Sequence, residues 1–208
     1  PAWRGRALLG QVQALREMGW KTKCAELGET TLRQLMQTAV AANIKPDDKS
    51  ALYTDLAAYT ADCLDSYPDV DTRQRLRKSV LLSLEALVTD PQAALATDDR
   101  SDGYGTLIEL ADGLGDAAGG DRYTEARLQL LEAAAAQAKG PVAAATYDAH
   151  RLECYRRLKR YPPAEAMLLA SEKVMPDDYN PPARLARLYF EMGRLDDALG
   201  RIEAKLGE

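Results

Sequence analysis

The 208-residue sequence contains one phenylalanine, two tryptophans and one histidine. Its apolar content of 46% comes chiefly from alanine and leucine, side chains that let helices approach closely and favour helix-on-helix layers over sandwiches or barrels. No stretch alternates apolar and polar residues long enough to make a strand. The three cysteines, Cys24, Cys63 and Cys154, form no CxxC pair. With His150 as the sole imidazole, four soft zinc ligands cannot be assembled, and a dithiol redox centre is missing from this stretch. Cys63 and Cys154 fall on apolar helical stripes, which reads as buried free thiols. A disulfide stays open, and an odd count leaves at least one thiol unpaired. No apolar run is long enough to cross a bilayer, so membrane insertion is not expected. Basic residues are not in excess either: 27 against 32 acidic, net −5, mixed along the chain, which argues against a nucleic-acid binder. No signal-peptide pattern is present. An opening Pro1 without Met reads as a processed product or an excised piece, cytoplasmic or exported.

Catalytic and metal motifs are equally scarce. "DDRSDGYGTLIE" (Asp98–Glu109) has acids at its first and fifth places, glycine at the sixth and Glu109 at the twelfth, as a calcium loop would. Its third place holds Arg100, whose cation would oppose Ca²⁺ directly. The expectation is a loop and a helix cap, with no metal. His150 lies one helical turn from Cys154, but a surface or half-buried histidine explains it without a nucleophile pair. "DGYG" and "DGLG" match no phosphate loop, which would need a preceding strand. Paired acids such as Asp47-Asp48 and Asp196-Asp197 sit at helix starts, where the dipole favours them. No residue constellation specifies a reaction, and no cofactor or enzymatic activity is expected.

What is present is helical periodicity with punctuation. The spacing predicts helices over 3–18, 30–43, from Asp47 or Asp48 to about Tyr67, and from Asp71 or Thr72 to about Val88. Others follow over 101–115, 121–139, 142–160, 162–174, 181–192 and 195–206. Thr30, Thr31, Ser101 and Asp102 are read as caps, because their side-chain oxygens accept from the first unsatisfied amides. The fold class is all-α.

The helices repeat. Ala149, Leu152, Tyr155, Leu158, Tyr161, Ala164 and Leu168 recur as Ala183, Ala186, Tyr189, Met192, Leu195, Ala198 and Ile202. That offset is 34 residues, the period of a two-helix solenoid unit. A further second helix reads as Tyr123, Ala126 and Leu130, 38 residues before Tyr161, Ala164 and Leu168, with "DAAGGD" (Asp116–Asp121) placed in an inter-helix loop. "IKPDDKSALYTDLAAY" (Ile44–Tyr59) echoes "VMPDDYNPPARLARLY" (Val174–Tyr189). These residues resemble the tetratricopeptide repeat: small Ala186, aromatic Tyr189, turn Gly193, small Ala198 and loop Pro176. Lys159 stands where the turn glycine would be, and Arg151 where Leu185 sits in the later copy, leaving the Lys159–Pro163 turn open. The resemblance implies antiparallel helix hairpins stacked as a right-handed α-solenoid, with irregular, degenerate hairpins over 1–97 and tetratricopeptide-like repeats over 98–208. Leu195, Ala198, Leu199, Ile202 and Leu206 form an apolar stripe ending without a polar capping helix, which predicts further repeats in the natural chain.

In tetratricopeptide arrays the first helix of each unit lines a concave groove. By that resemblance Thr146, Glu153, Arg156 and Arg157, with their counterparts Asn180, Arg187, Phe190 and Glu191, would project there. An aromatic among arginines suits a peptide with an apolar anchor and a carboxylate. The plain alternative for "HRLECYRRLKR" (His150–Arg160) is a solvated face with a Glu153–Arg157 pair. The functional expectation is a non-catalytic scaffold binding a protein or peptide. A second resemblance, carried by "DDRSDGY", "YDAHRL" and "PDDYNPPARLARLY", is to the helical region following a thioredoxin-like domain in some bacterial proteins. It implies an accessory domain whose redox centre lies outside this chain.

Overall fold

The computed structural model of the protein describes residues 2–37 and 46–206. Eleven α-helices and no strand occur among the described residues. In chain order they are α1 (Ala2–Glu17), α2 (Lys21–Gln37), α3 (Pro46–Asp65), α4 (Val70–Val88), α5 (Thr97–Gly113) and α6 (Ala117–Gln137). There follow α7 (Pro141–Ala145), α8 (Asp148–Arg157), α9 (Tyr161–Val174), α10 (Asn180–Glu191) and α11 (Leu195–Leu206). The chain divides into two compact units, residues 1–124 and 125–208.

Several helix starts differ from the sequence reading, each for a local reason. α2 begins at Lys21, nine residues before the expected Thr30; Thr31 is buried within it. Gly28, which looks like a breaker, is instead a contact point: a Cβ there would stand 2.0 Å from Thr60 Oγ1 of α3. The expected end of this helix, residues 38–43, lies outside the described residues. α4 is capped by Asp69, whose carboxylate accepts from the Thr72 amide at 2.8 Å, and not by Asp71 or Thr72. α5 starts at Thr97, so Ser101 and Asp102 are inside it, and Asp98 and Asp99 occupy the turn favoured by the dipole. The expected calcium-like loop is therefore helix. Arg100 reaches back and donates to the carbonyls of Val88, Asp90 and Ala93, tying down the end of α4. "DAAGGD" is also helix from Ala117, with Asp116 accepting from the Gly119 amide at 2.8 Å. The stretch 142–160 is broken into α7 and α8. Thr146 Oγ1 donates to Ala143 O at 2.7 Å, and Asp148 is drawn into a buried bond from Ser171 Oγ at 2.5 Å.

Four helices end on the same turn. Gly19, Gly115, Lys159 and Gly193 take positive φ of 75°, 76°, 55° and 74°. At each, the amide of that residue bonds three residues back and the next amide bonds five back, as in Lys159 N to Arg156 O at 3.1 Å and Arg160 N to Tyr155 O at 2.8 Å. The later copy repeats this with Gly193 N to Phe190 O at 3.0 Å and Arg194 N to Tyr189 O at 2.8 Å. These are Schellman ends. Lys159 adopts the glycine geometry despite its Cβ, which resolves the open turn.

From α1 to α5 each helix packs on its neighbour in sequence. In addition α1 and α5 both lie against α3, and α2 lies against α4. Neighbour plus next-but-one packing is what stacked antiparallel hairpins produce, since each hairpin covers the apolar face of the one before. The core runs through Val12, Leu32, Leu56, Leu64, Leu84 and Leu107. A disulfide joins Cys24 of α2 to Cys63 of α3, with Cα atoms 6.0 Å apart and both residues fully buried. The reading of Cys63 as a free thiol is thus corrected; Cys154 is the free, buried cysteine.

In the second unit Leu128, Leu131, Leu152, Tyr155, Leu168, Leu185 and Tyr189 share one core. Tyr155 and Tyr189, 34 residues apart, are both buried and both donate their hydroxyl to a glutamate of an earlier helix, Glu132 and Glu165 respectively. The α6 copy is offset from α9 by 40 residues, not 38. Buried Arg127, Leu128 and Leu131 correspond to Met167, Leu168 and Ser171, whereas Ala126 and Leu130 are only half-buried. Ion pairs keep the same register: Arg160–Glu125 at 2.7 Å is matched by Arg194–Glu165 at 2.9 Å.

Candidate partner-binding surface

α10 is built for two environments. Pro181 and Pro182 start it where missing amides cost little, and Leu185, Leu188 and Tyr189 are buried. That phase turns Arg187 and Phe190 outward; Phe190 is 66% exposed. Arg156 of α8 meets Glu191 of α10 through two bonds of 2.5 Å, and Arg187 approaches the same carboxylate at 3.3 Å. Burial alone would raise the Glu191 pKa, but hydrogen bonds and charge from Arg156 and Arg187 hold it below the usual carboxylate range. Two guanidiniums around one carboxylate leave positive charge beside an exposed phenyl ring.

The remaining sequence-derived residues are engaged elsewhere. Glu153 lies 3.5 Å from Arg127 and 3.2 Å from His150. Asn180 donates to Asp178 Oδ1 at 2.8 Å, and Thr146 is bonded within its own turn. Arg157 lies at the end of α8. The structure therefore gathers Arg156, Arg187, Phe190 and Glu191, and leaves Thr146, Glu153 and Asn180 in local contacts.

Sequence reasoning did not name the larger feature. A groove of about 890 Å³ lies between α10 and α11. Ala183, Ala186, Phe190, Leu199 and Ile202 line it, with Tyr179 and Leu195 at its ends and Arg187 and Arg201 at its edges. Tyr179, Leu195, Leu199 and Ile202 are 72%, 54%, 56% and 48% exposed. The signal was in the sequence, since Leu195, Leu199 and Ile202 belong to the stripe read as unsatisfied. Among the described residues no group of three or more His, Cys, Asp and Glu converges to hold a metal, and no helix is long and apolar enough to cross a membrane.

No protein-family model matches the sequence, and no curated protein matches it significantly. Solved structures do resemble it. A Podosopora anserina protein with nearly identical TPR-like repeats aligns over 98% of this chain and 93% of its own, at 14% identity and a TM-score of 0.60. A single-residue variant of that protein gives 0.59 over the same coverage. BtubC (BKLC) from P. vanneervenii aligns over 89% of this chain and 70% of its own, at 15% identity and a TM-score of 0.50. With its stacked antiparallel hairpins and repeated Schellman turns, the chain has the all-α, tetratricopeptide-like helical-repeat fold.

Proposed function

We propose that the chain is a non-catalytic scaffold that binds a protein or peptide partner through α8 and α10. Arg156, Arg187, Phe190 and Glu191 form the centre of that surface, and Arg157, Thr146, Glu153 and Asn180 its margin. The observation that carries the reading is the Arg156–Glu191–Arg187 cluster beside the exposed Phe190. Such a cluster offers a bidentate seat for a carboxylate next to an apolar anchor point, and arginine and aromatic residues dominate binding energy at interfaces. Repeat hairpins of this fold present side chains on rigid helices, which lowers the ordering cost of binding.

The test is a selection of displayed random peptides on the folded chain, followed by affinity measurement. Enriched peptides carrying an acidic and an apolar residue are expected, weakened about ten-fold or more by Arg157→Ala with Arg187→Ala, at an unchanged melting temperature. Enriched peptides indifferent to both substitutions, or no enrichment, would contradict the assignment. A fall in melting temperature would show that the arginines are structural.

A further inference from the structure

The second unit contains its own template for what fills a groove of this kind. α8 and α9 form a hairpin, and α10 packs on α9 and shares its core. Under that cover Leu168 is fully buried and Leu152 is 6% exposed. Thirty-four residues later, Ile202 occupies the place of Leu168 and is 48% exposed. The α10–α11 groove is the same seat one layer on, and in the earlier layer an amphipathic helix fills it. Small Ala183, Ala186 and Ala198 on its floor let a helix backbone come close, and helices nest in the furrow between two others by ridge-into-groove packing.

The two seats differ in chemistry, and the difference defines the occupant. α10 is held by polar partners: Glu165 accepts from the Tyr189 hydroxyl at 2.9 Å and pairs with Arg194 at 2.9 Å, and Arg156 pairs with Glu191. At the positions of Glu165 and Arg156 the next layer has Leu199 and Phe190, 56% and 66% exposed. A helix in the open groove meets hydrocarbon where α10 meets charge. At the edge, Arg187 is 69% exposed and shares the Glu191 carboxylate with Arg156. Of the two arginines lining the groove, Arg201 is paired with Glu172 at 2.6 Å, so the positive charge at its rim is that of the Arg156–Glu191–Arg187 cluster, two cations to one anion. Building on the scaffold reading above, we infer that this groove takes an amphipathic α-helix of a partner protein. That helix buries a Leu/Ile/Phe-rich face against Phe190, Leu199 and Ile202, and sets a carboxylate against Arg187.

The experiment uses the full chain and three fluorescein-labelled peptides of about 18 residues, some five helical turns. One repeats Leu and Ile at helical spacing with Glu along one edge, one carries Lys in place of those Glu residues, and one is a scramble. Anisotropy should show micromolar binding of the Glu peptide only, weakened about ten-fold or more by Leu199→Asp. Arg187→Glu should exchange the preference, so that the Lys peptide binds and the Glu peptide does not. Circular dichroism checks that each variant folds; Leu199 is exposed, so its substitution spares the fold even where Ile202→Asp disrupts it. Binding of the scramble, indifference to Leu199→Asp, or absence of binding would overturn the inference. So would sedimentation showing a dimer that Leu199→Asp dissociates, because the occupant would then be a second copy. Peptides selected through Arg157 that survive Leu199→Asp would leave the scaffold reading standing while the groove assignment fell.

Discussion

Removing the Cys24–Cys63 disulfide should cost the first unit most of its stability. The bond closes a loop of 39 residues between α2 and α3. Cross-linking a loop of that length withholds chain entropy from the unfolded state worth about 4 kcal/mol. The cysteines are fully buried, so Cys24→Ala with Cys63→Ala also leaves small cavities, adding roughly 1 kcal/mol or more. A loss near 5 kcal/mol equals the whole stability of a marginal domain. With a urea dependence of about 2 kcal/mol per M, the midpoint of the first unit should fall by about 2 M or more. The assay is urea unfolding followed by a fluorophore in α3, wild type against the double variant, with a second probe in α9 for the other unit. Alkylation in urea without reductant gives an independent check: one thiol, Cys154, should label, and all three after reduction. Three labelled thiols without reductant, or an unshifted midpoint, would refute the reasoning.

Three further outcomes follow from local geometry. Lys159→Gly should stabilise the second unit by about 0.5–1 kcal/mol, because a side chain at φ 55° costs about 1–2 kcal/mol and the extra freedom of glycine when unfolded offsets part of the gain; thermal denaturation measures it. Gly28→Ala should destabilise by about 1–3 kcal/mol, since its Cβ would collide with Thr60 and push α2 from α3; the urea midpoint of the first unit reports it. Burial pushes the Cys154 thiol up to about 11 from an ordinary 9.0. The unfolded state then ionises first, so stability is unaffected below pH 9, declines between pH 9 and 11, and levels off above. The drop should be on the order of 2–3 kcal/mol and absent in Cys154→Ala, as read from unfolding curves across that range.

The helices themselves were legible because their stops were: Gly19, Pro68, Gly115 and Gly193 end or separate helices through steric rules that act locally. The starts were less so. Ser101 and Asp102 have the chemistry of caps but lie in the second turn of α5, because Asp98 and Asp99 can occupy the turn before them. Gly28 reads as a breaker along the chain and works as a contact across it, which no local rule distinguishes. Starting this helix at residue 30 left Cys24 outside it and the disulfide undecided. Once α2 runs from Lys21, Cys24, Gly28, Thr31 and Leu35 fall on one face turned to the core, where Cys63 waits. The repeat offset of 34 located Arg187 and Phe190 on the outer side of α10. It did not reveal the groove, because Leu199 and Ile202 look in sequence like the packed residues they replace, and only their exposure separates the two cases.

The central proposal is partner binding by the rigid helices of the second unit. Hydrogen exchange of the chain with and without a display-selected peptide addresses this most directly. Slowed exchange in α8 and α10, lost with Arg157→Ala and Arg187→Ala at an unchanged melting temperature, is the expected result. Protection confined to the first unit, or none anywhere at saturating peptide, would contradict it.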